Sequence, residues 1–297
     1  MSINIPQDKI NKVIKIINDR HHTNFQFLNQ YEGGEWGAFR IAESGKAPVV
    51  LKYYPDISEN SFIDPDPNLA PLITTRLLEL GCPVPKYIFT GTLEPNGLYW
   101  IQEELLGKPL SQDPSVEQVK KMLSLIDLQK NQAVSTKQNW SRIAREVVFA
   151  NKFGWCESLK SFSNETAELV DMMLNATKGL ENLELPTSDI VHGDFSYRQV
   201  MVENDQIVGI IDWQEAGCGD LAIDLSRLVY SLHDRPLLVA PIVEKLKVHD
   251  PRKIKLYIAF TAFEMVGWRI DQNPGLDKSV AKAGSALDFV YNELMNF

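Results

Sequence analysis

The sequence predicts an α+β protein with a small antiparallel sheet in its N-terminal third and a larger, mainly helical remainder. Strand-forming runs separated by turn residues are concentrated before residue 105. After residue 106, apolar residues recur mostly at the spacing of one helix face. A second, compact group of strands rich in carboxylates lies between Ile190 and Ile211.

Composition and charge are those of an ordinary globular protein. Of the 297 residues, 44% are hydrophobic and 23% are charged, and the net charge is -9. The acidic balance argues against a nucleic-acid partner and is compatible with a cationic substrate. The first residues lack a signal-peptide pattern and no apolar run of about 18 residues occurs, so we expect a cytoplasmic protein without a membrane segment. The scattered Cys82, Cys156 and Cys218 predict neither disulfides nor a zinc site.

The elements of the N-terminal part follow from apolar spacing and turn residues. The spacing predicts a first helix at residues 7–19, which packs on the sheet and carries no chemistry. Strands are predicted at residues 25–28, 37–42, 48–54, 87–90 and 98–103, and a helix at residues 69–80. Glu94-Pro95-Asn96-Gly97 has the composition of a turn between the last two strands.

A glycine-rich loop joins the first two strands and contains Gly33, Gly34 and Gly37. Such loops let backbone N–H groups approach phosphates, although this glycine spacing alone is more often a plain turn. Lys52 lies on the third strand behind the loop. An isolated strand lysine is usually a solvated charge, so its role depends on the rest of the chain.

The C-terminal part is predicted to be built from helices. Helical spacing is clearest at residues 114–130, 140–162, 163–180, 256–270 and 280–294. We expect most of the aromatic residues among them to be core residues.

The stretch from Ile190 to Leu225 concentrates the charged residues that suggest chemistry. Three apolar runs in it are predicted strands, with a hairpin turn between the last two: Ile190-Val191, Val200-Met201-Val202 and Ile207 to Ile211, turning at Asn204-Asp205. The reversal is expected to bring Asp194, Gln199 and Asp212 to one edge of a small sheet. Phosphoryl transfer needs a carboxylate base and hard oxygen ligands for magnesium, and these residue types supply both.

The motifs of this stretch resemble those of the aminoglycoside phosphotransferase and choline-kinase-like branch of the protein-kinase fold. The matching pieces are His192-Gly193-Asp194 with an amide five residues later, Ile211-Asp212-Trp213, Gly219-Asp220 and Asp224-Leu225. The resemblance implies a two-lobed protein-kinase-like fold. Its small lobe (1–105) would bind the nucleotide, and its larger helical lobe (106–297) would carry catalysis and substrate binding.

The resemblance also implies roles for individual residues. Asp194 would be the catalytic base, and Asp212 with Gln199 would bind Mg²⁺. Lys52 and the glycine loop would hold the phosphates of ATP, with GTP also possible. The segment with Glu103 and Leu105 resembles the hinge that binds adenine through its backbone.

Four further residues in the same stretch receive supporting roles. Arg198 would neutralise charge near the transferred phosphoryl group. Asp220 would steady the catalytic loop, and Asp224 would cap or brace the next helix. His192 is expected to be a structural hydrogen-bonding residue.

Two departures from the family pattern leave an alternative open. Gln199 stands where the family usually has Asn, and the early positions of the helix at 69–80 lack a Glu to hold Lys52. Asp64 or Asp66 could take that place. The main hypothesis is therefore a small-molecule kinase, and the alternative is a kinase-like pseudoenzyme that binds nucleotide or ligand without efficient turnover.

The acceptor is expected to be a hydroxyl of a small molecule, such as an aminoglycoside or a related amino alcohol or sugar. Glu215, Glu264 and Asp271 could bind its amines, although each is more simply explained as a solvated or ion-paired residue. We expect a monomer or a homodimer.

Overall fold

A computed structural model describes residues 5–31, 37–57, 62, 64–111 and 113–272 of the chain. The helices are α1 Gln7–His21, α2 Leu69–Glu79, α3 Val116–Asp127, α4 Trp140–Ala150, α5 Trp155–Phe162, α6 Asn164–Thr177, α7 Ala222–Ser231, α8 Pro236–Leu246 and α9 Pro251–Gln272. The strands are β1 Gln26–Gln30, β2 Ala38–Ala42, β3 Val49–Tyr54, β4 Tyr87–Leu93, β5 Gly97–Glu103, β6 Lys108–Pro109, β7 Asp189–Val191, β8 Val200–Glu203, β9 Gln206–Ile210 and β10 Gly217–Gly219.

The N-terminal part is a five-stranded sheet in the order β1-β2-β3-β5-β4. All of its neighbouring strands run antiparallel, as expected for strands joined by short turns. The apolar face of α1 packs on one side of this sheet, and the shared core includes Ile10, Ile17, Phe39, Leu51 and Ile101.

The register of the sheet directs Lys52 away from that core. Leu51 lies opposite Phe39 and Ile101, and all three belong to the core under α1. Successive side chains of a strand point to opposite faces, so Lys52 projects from the other face together with its partner Trp100. That face is turned towards the C-terminal part of the chain, where Lys52 meets Asp212.

The C-terminal part is a helical core arranged around α9. This helix contacts α4, α5, α6 and α7, and its residues from Ile254 to Val266 are mostly buried. A helix that is apolar around most of its surface is expected at the centre of a bundle. Helix α2 contributes Leu69, Ile73 and Leu77 to this second core, so it packs against the helical part although it precedes β4 and β5.

The strands between Ile190 and Gly219 form two sheets, and the prediction of one small sheet is therefore wrong. β7 pairs with β10, whereas β8 and β9 form a hairpin that also pairs with β6. The predicted turn at Asn204-Asp205 is confirmed, since both residues have the positive φ that a tight hairpin requires, 48° and 62°.

The other predicted elements agree with the structure to within a few residues, with one split. The predicted helical stretch at 140–162 is two helices, α4 and α5, because Asn151 and Gly154 adopt left-handed conformations between them. The helix predicted at 280–294 lies outside the described residues. In the part of the chain that the structure describes, no helix is long and apolar enough to cross a membrane.

Candidate active site

The His192-Gly193-Asp194 segment follows β7 and is held by a carboxylate from α7. The Asp224 side chain accepts hydrogen bonds from the backbone N–H groups of His192, at 2.7 Å, and Gly193, at 3.1 Å. Gly193 has a φ of +89°, and a side chain there would collide with the ring of Trp140. Glycine is therefore required by both the backbone conformation and the packing.

His192 is a buried, neutral side chain that shapes this loop. Its Nε2 lies 2.8 Å from the Ile211 carbonyl oxygen, and its Nδ1 accepts a hydrogen bond from the Asp194 backbone N–H at 3.2 Å. These partners fit the neutral tautomer that is protonated at Nε2. Burial lowers the pKa of His192 to about 4. The expectation of a structural hydrogen-bonding residue is confirmed.

Asp194 is held on both of its carboxylate oxygens. Oδ2 accepts a hydrogen bond from Nε2 of Gln199 at 2.9 Å, and Oδ1 lies 3.6 Å from a terminal nitrogen of Arg227. The Asp194 side chain is 47% exposed. Its partial burial raises its pKa to about 6, the positive charge of Arg227 acts in the opposite direction, and the negative charge of Asp212 adds to the rise. A carboxyl with these properties can accept a proton near neutral pH.

Gln199 links the catalytic loop to the hairpin that follows. Its amide oxygen accepts a hydrogen bond from Oγ of Ser196 at 2.5 Å, and its backbone carbonyl accepts one from the N–H of Ile211 at 2.9 Å. The neighbouring Arg198 is exposed and lies over the ring of Tyr197 at 5.8 Å. The extra methylene of Gln, compared with Asn, thus spans the distance between Ser196 and Asp194.

Lys52 and Asp212 form an ion pair between the N-terminal sheet and the catalytic motifs. The Lys52 Nζ lies 2.6 Å from Oδ1 of Asp212. Asp212 has a φ of 70°, a left-handed conformation that is uncommon for residues other than glycine and is frequent at functional sites. Trp213 is buried, its Nε1 donates to the Ile210 carbonyl at 2.8 Å, and it packs against the His192 ring. This packing supports the backbone that carries Asp212.

Asp64 and Asp66 do not take the place of the missing helix glutamate, and that expectation is wrong. Asp66 pairs with Lys137 at 2.5 Å and accepts a hydrogen bond from the backbone N–H of Asn68. Oδ1 of Asp64 accepts a hydrogen bond from the N–H of Asp66. The carboxylate beside Lys52 is that of Asp212.

Of the nucleotide-binding residues predicted around the sheet, Gly37 directly precedes β2, Glu103 is the last residue of β5 and Leu105 follows it. Gly37 has a φ of +91° and precedes β2, while Gly33 and Gly34 lie outside the described residues. The backbone N–H of Glu103 donates a hydrogen bond to the backbone carbonyl oxygen of Lys86 at 2.9 Å. Leu105 packs directly on Gly209 of β9, where any side chain would collide with it.

The supporting roles predicted for Asp220 and Asp224 are exchanged in the structure. Asp220 lies just before α7 and accepts hydrogen bonds from the N–H of Ala222, at 3.0 Å, and from the Tyr257 hydroxyl, at 3.2 Å, so it supports the start of that helix. Asp224 lies within α7 and holds the catalytic loop, as described above. Because Asp224 lies in the first turn of α7, its side chain can reach the loop that follows β7. The spacing of residues in the sequence did not reveal this contact.

Sequence reasoning missed Arg227, whereas its preferred interpretation of Glu264 as an ion-paired residue is confirmed. Arg227 is the only charged residue between Leu225 and Ser231, and a charge in an otherwise apolar helix was the available signal. Glu264 is buried and hydrogen-bonds to Arg227, so it is not a free carboxylate for an amine. Of the other two acidic residues, Glu215 is half-buried, and the side chain of Asp271 lies outside the described part.

Comparison with known proteins gives a family and a fold. The model of the phosphotransferase enzyme family matches residues 72–257. No curated protein matches the sequence. The solved structure of aminoglycoside phosphotransferase APH(4)-Ia is 15% identical, with a TM-score of 0.66, and the match covers 95% of this chain and 98% of that one.

Two further structures have the same fold. Choline kinase LicA from Streptococcus pneumoniae is 12% identical, with a TM-score of 0.66, over 97% of this chain and 100% of that one. Spectinomycin phosphotransferase APH(9)-Ia is 14% identical, with a TM-score of 0.59, over 94% and 93% of the two chains. The kinase-like fold predicted from the motifs is therefore confirmed. Because the family model spans more than half of the chain and includes every motif from His192 to Leu225, the protein belongs to the phosphotransferase enzyme family.

Proposed function

We propose that the protein is an ATP-dependent kinase that transfers the γ-phosphate to a hydroxyl of a small molecule. The observation that carries the proposal is the Lys52–Asp212 ion pair next to Asp194, whose carboxylate is held on both oxygens. A cation, a carboxylate that can bind a metal ion and a carboxylate base are the groups that phosphoryl transfer uses. In this proposal the lobe 1–105 binds the nucleotide and the lobe 106–297 binds the acceptor.

The reaction would need Asp194 to orient the acceptor hydroxyl and take its proton. The hydroxyl oxygen forms a bond to the γ-phosphorus while the bond from that phosphorus to the β–γ bridging oxygen breaks, and ADP leaves. Lys52 would hold phosphate oxygens, and Arg198 would add positive charge near the transferred group. Gly33, Gly34 and Gly37 would approach the phosphates through their backbone. The backbone of Glu103 and Leu105 would bind the base.

Asp212 and Gln199 fit the binding of Mg²⁺ together with nucleotide phosphates. Their side chains offer a carboxylate and an amide oxygen, which are the hard donors that Mg²⁺ prefers, and Mg²⁺ commonly takes its remaining ligands from phosphates and water. When bound, the ion would neutralise charge on the phosphates. Asp212 keeps one carboxylate oxygen beyond the oxygen that meets Lys52, and Gln199 is held close to Asp194.

The acceptor class is supported by the similar structures and by charge. APH(4)-Ia has been solved with AMP-PNP and hygromycin B, and APH(9)-Ia with ADP and spectinomycin. The net charge of -9 favours cationic acceptors. We therefore propose an aminoglycoside or a related amino alcohol or sugar as the acceptor, and the cytoplasm, where ATP is abundant, as the place of action.

The test is a magnesium-dependent transfer assay from ATP and from GTP over a panel of aminoglycosides, amino alcohols and sugars. Asp194→Ala is assayed beside the wild type, with nucleotide binding measured on both. We expect transfer to one acceptor class, lost in Asp194→Ala while nucleotide binding persists. Nucleotide binding without transfer to any acceptor would favour the pseudoenzyme, and absence of nucleotide binding would contradict both readings.

A further inference from the structure

Behind Asp194 lies a buried ion pair that joins two helices. Arg227 of α7 hydrogen-bonds through one terminal nitrogen to Oε1 of Glu264 on α9. Its other terminal nitrogen is 3.6 Å from Oδ1 of Asp194. The side chains of Arg227 and Glu264 are only 4% and 7% exposed. One guanidinium thus connects the core helix α9 to the carboxylate of the catalytic loop.

Aromatic rings fix the position of this guanidinium. The Cζ atom of Arg227 lies 5.1 Å from the centroid of the Trp140 ring and 5.8 Å from that of Phe260. Trp140 is itself anchored, since its Nε1 donates to the Glu215 carbonyl at 2.9 Å. Cation–π contact and close packing leave Arg227 little freedom to turn away from Asp194.

A purely structural explanation of the pair is weak on two grounds. Buried ion pairs contribute little net stability compared with apolar residues of the same size. In addition, Nε of Arg227 and Oε2 of Glu264 are buried without a hydrogen-bond partner among the described residues. An ion pair that served stability alone would be expected to give both of these atoms a hydrogen-bond partner.

The remaining charged groups around Asp194 do not supply the same contact. Lys52, Arg198 and Asp212 act on it through their charges, and Asp224 and Glu264 also face it. Gln199 holds Oδ2. Arg227 therefore supplies the charged contact at Oδ1, at 3.6 Å, beside the hydrogen bond from Gln199 to Oδ2.

We propose that Arg227, held in place by Glu264, is a positioning residue that fixes the Asp194 carboxylate for the acceptor hydroxyl. The inference rests on the proposed function. A catalytic carboxylate must keep its geometry closely, because misplacement by about 1 Å can cost about a hundredfold in rate. Arg227 acts through Asp194 and need not touch the acceptor.

The experiment compares four variants with the wild type by steady-state kinetics, with ATP and acceptor varied separately. Arg227→Gln is expected to lower kcat by about ten- to a hundredfold, with the KM for ATP within about twofold. Arg227→Lys should restore part of kcat, since the ammonium keeps the charge but loses the fork of donors. Glu264→Gln should lower kcat less than Arg227→Gln does, because its amide oxygen can still accept a hydrogen bond from Arg227. Arg235→Gln removes another arginine–carboxylate pair of the same lobe, with Asp113 at 3.1 Å, and should leave kcat unchanged.

Two outcomes would overturn the inference. One is a folded Arg227→Gln protein with kcat within about twofold of the wild type. The other is an equal loss in Arg227→Lys and Arg227→Gln accompanied by a matching rise in the KM for ATP, which would indicate general damage to the site. If Arg227→Gln fails to fold, Arg227→Lys and Glu264→Gln decide by the same criterion: a kcat lowered at unchanged KM for ATP supports the inference, and an unchanged kcat overturns it.

A crystal structure of Arg227→Gln, or of Arg227→Lys if only that variant folds, tests the inference without any activity. A changed side-chain rotamer of Asp194 supports it, and an unchanged rotamer overturns it. Failure of the wild type to transfer phosphate would count against the proposed function alone, since the Asp194 rotamer is still measured. The two failures are therefore distinguishable.

Discussion

The two sides of the site are held together in different ways. On the catalytic side, the backbone of His192 and Gly193 is held by Asp224, which is 32 and 31 residues away in the chain. On the side of the N-terminal sheet, Lys52 meets Asp212, which is 160 residues away in the chain. The first contact lies within the single stretch from Ile190 to Leu225, whereas the second exists only when the sheet and the helical part are packed together.

The largest effect on phosphate transfer is expected for a substitution of Asp212, where the two sides of the site meet. Asp212→Asn keeps the shape of the side chain and tolerates the positive φ, so the protein should fold with nearly unchanged stability. It removes the partner of Lys52 and the proposed magnesium ligand, and we expect transfer to fall by about a hundred- to a thousandfold. The rate of phosphate transfer and the thermal stability of the variant are measured on the same preparation. Transfer within about tenfold of the wild type would mean that the ion pair is not part of the reaction.

His192 gives the folded protein a dependence of stability on pH. Its pKa in the folded protein, about 4, is below the ordinary histidine value of 6.5, so the unfolded chain binds more protons between these values. Stability from this group is complete above pH 6.5 and is lost as the pH falls towards 4, by at most about 3 kcal/mol.

The prediction for His192 is tested by denaturant unfolding of the wild type and His192→Gln between pH 4 and 7. The stability difference between them should shrink as the pH falls. His233→Gln, at a half-buried histidine remote from the catalytic loop, is the control. A constant difference across the range would show that His192 does not titrate as burial predicts.

Asp224→Asn tests whether the catalytic loop depends on a single carboxylate. One of the two acceptor oxygens becomes a donor, so either the His192 or the Gly193 N–H loses its partner, at a cost of about 1 to 3 kcal/mol. The loss of unfolding free energy is measured by chemical denaturation. Glu244→Gln, which removes an exposed ion pair with Lys247 on α8, should change stability by less than about 0.5 kcal/mol. Equal effects of the two substitutions would contradict the bracing role of Asp224.

The smallest effect is expected for Gln199→Asn, which restores the residue usual in the family. Because the longer side chain spans Ser196 and Asp194, we expect the shorter one to lose a hydrogen bond and lower kcat several-fold, equivalent to about 1 kcal/mol. Steady-state kinetics at saturating magnesium measure this change in kcat. A rise in turnover would instead identify Gln199 as a poor metal ligand and strengthen the pseudoenzyme reading of the wild type.

Local sequence patterns were sufficient for most elements and for the order of the motifs. The apolar run of β3 identified a strand with Lys52 on it, and Asn204-Asp205 identified a hairpin turn, because both depend on residues close together in the chain. The same is true of the segment His192 to Asp194, whose glycine and spacing to Asp212 carried the resemblance.

The partners of these residues were decided by tertiary structure. The separation of β7 from the β8–β9 hairpin, the exchange of roles between Asp220 and Asp224, and the Lys52–Asp212 pair all depend on which surfaces pack together. Arg227 and Glu264 show this most clearly, since each lies on a different apolar helix and only the packing of α7 on α9 brings them to Asp194. Sequence determines which chemical groups are present, and packing over long separations determines which of them act together.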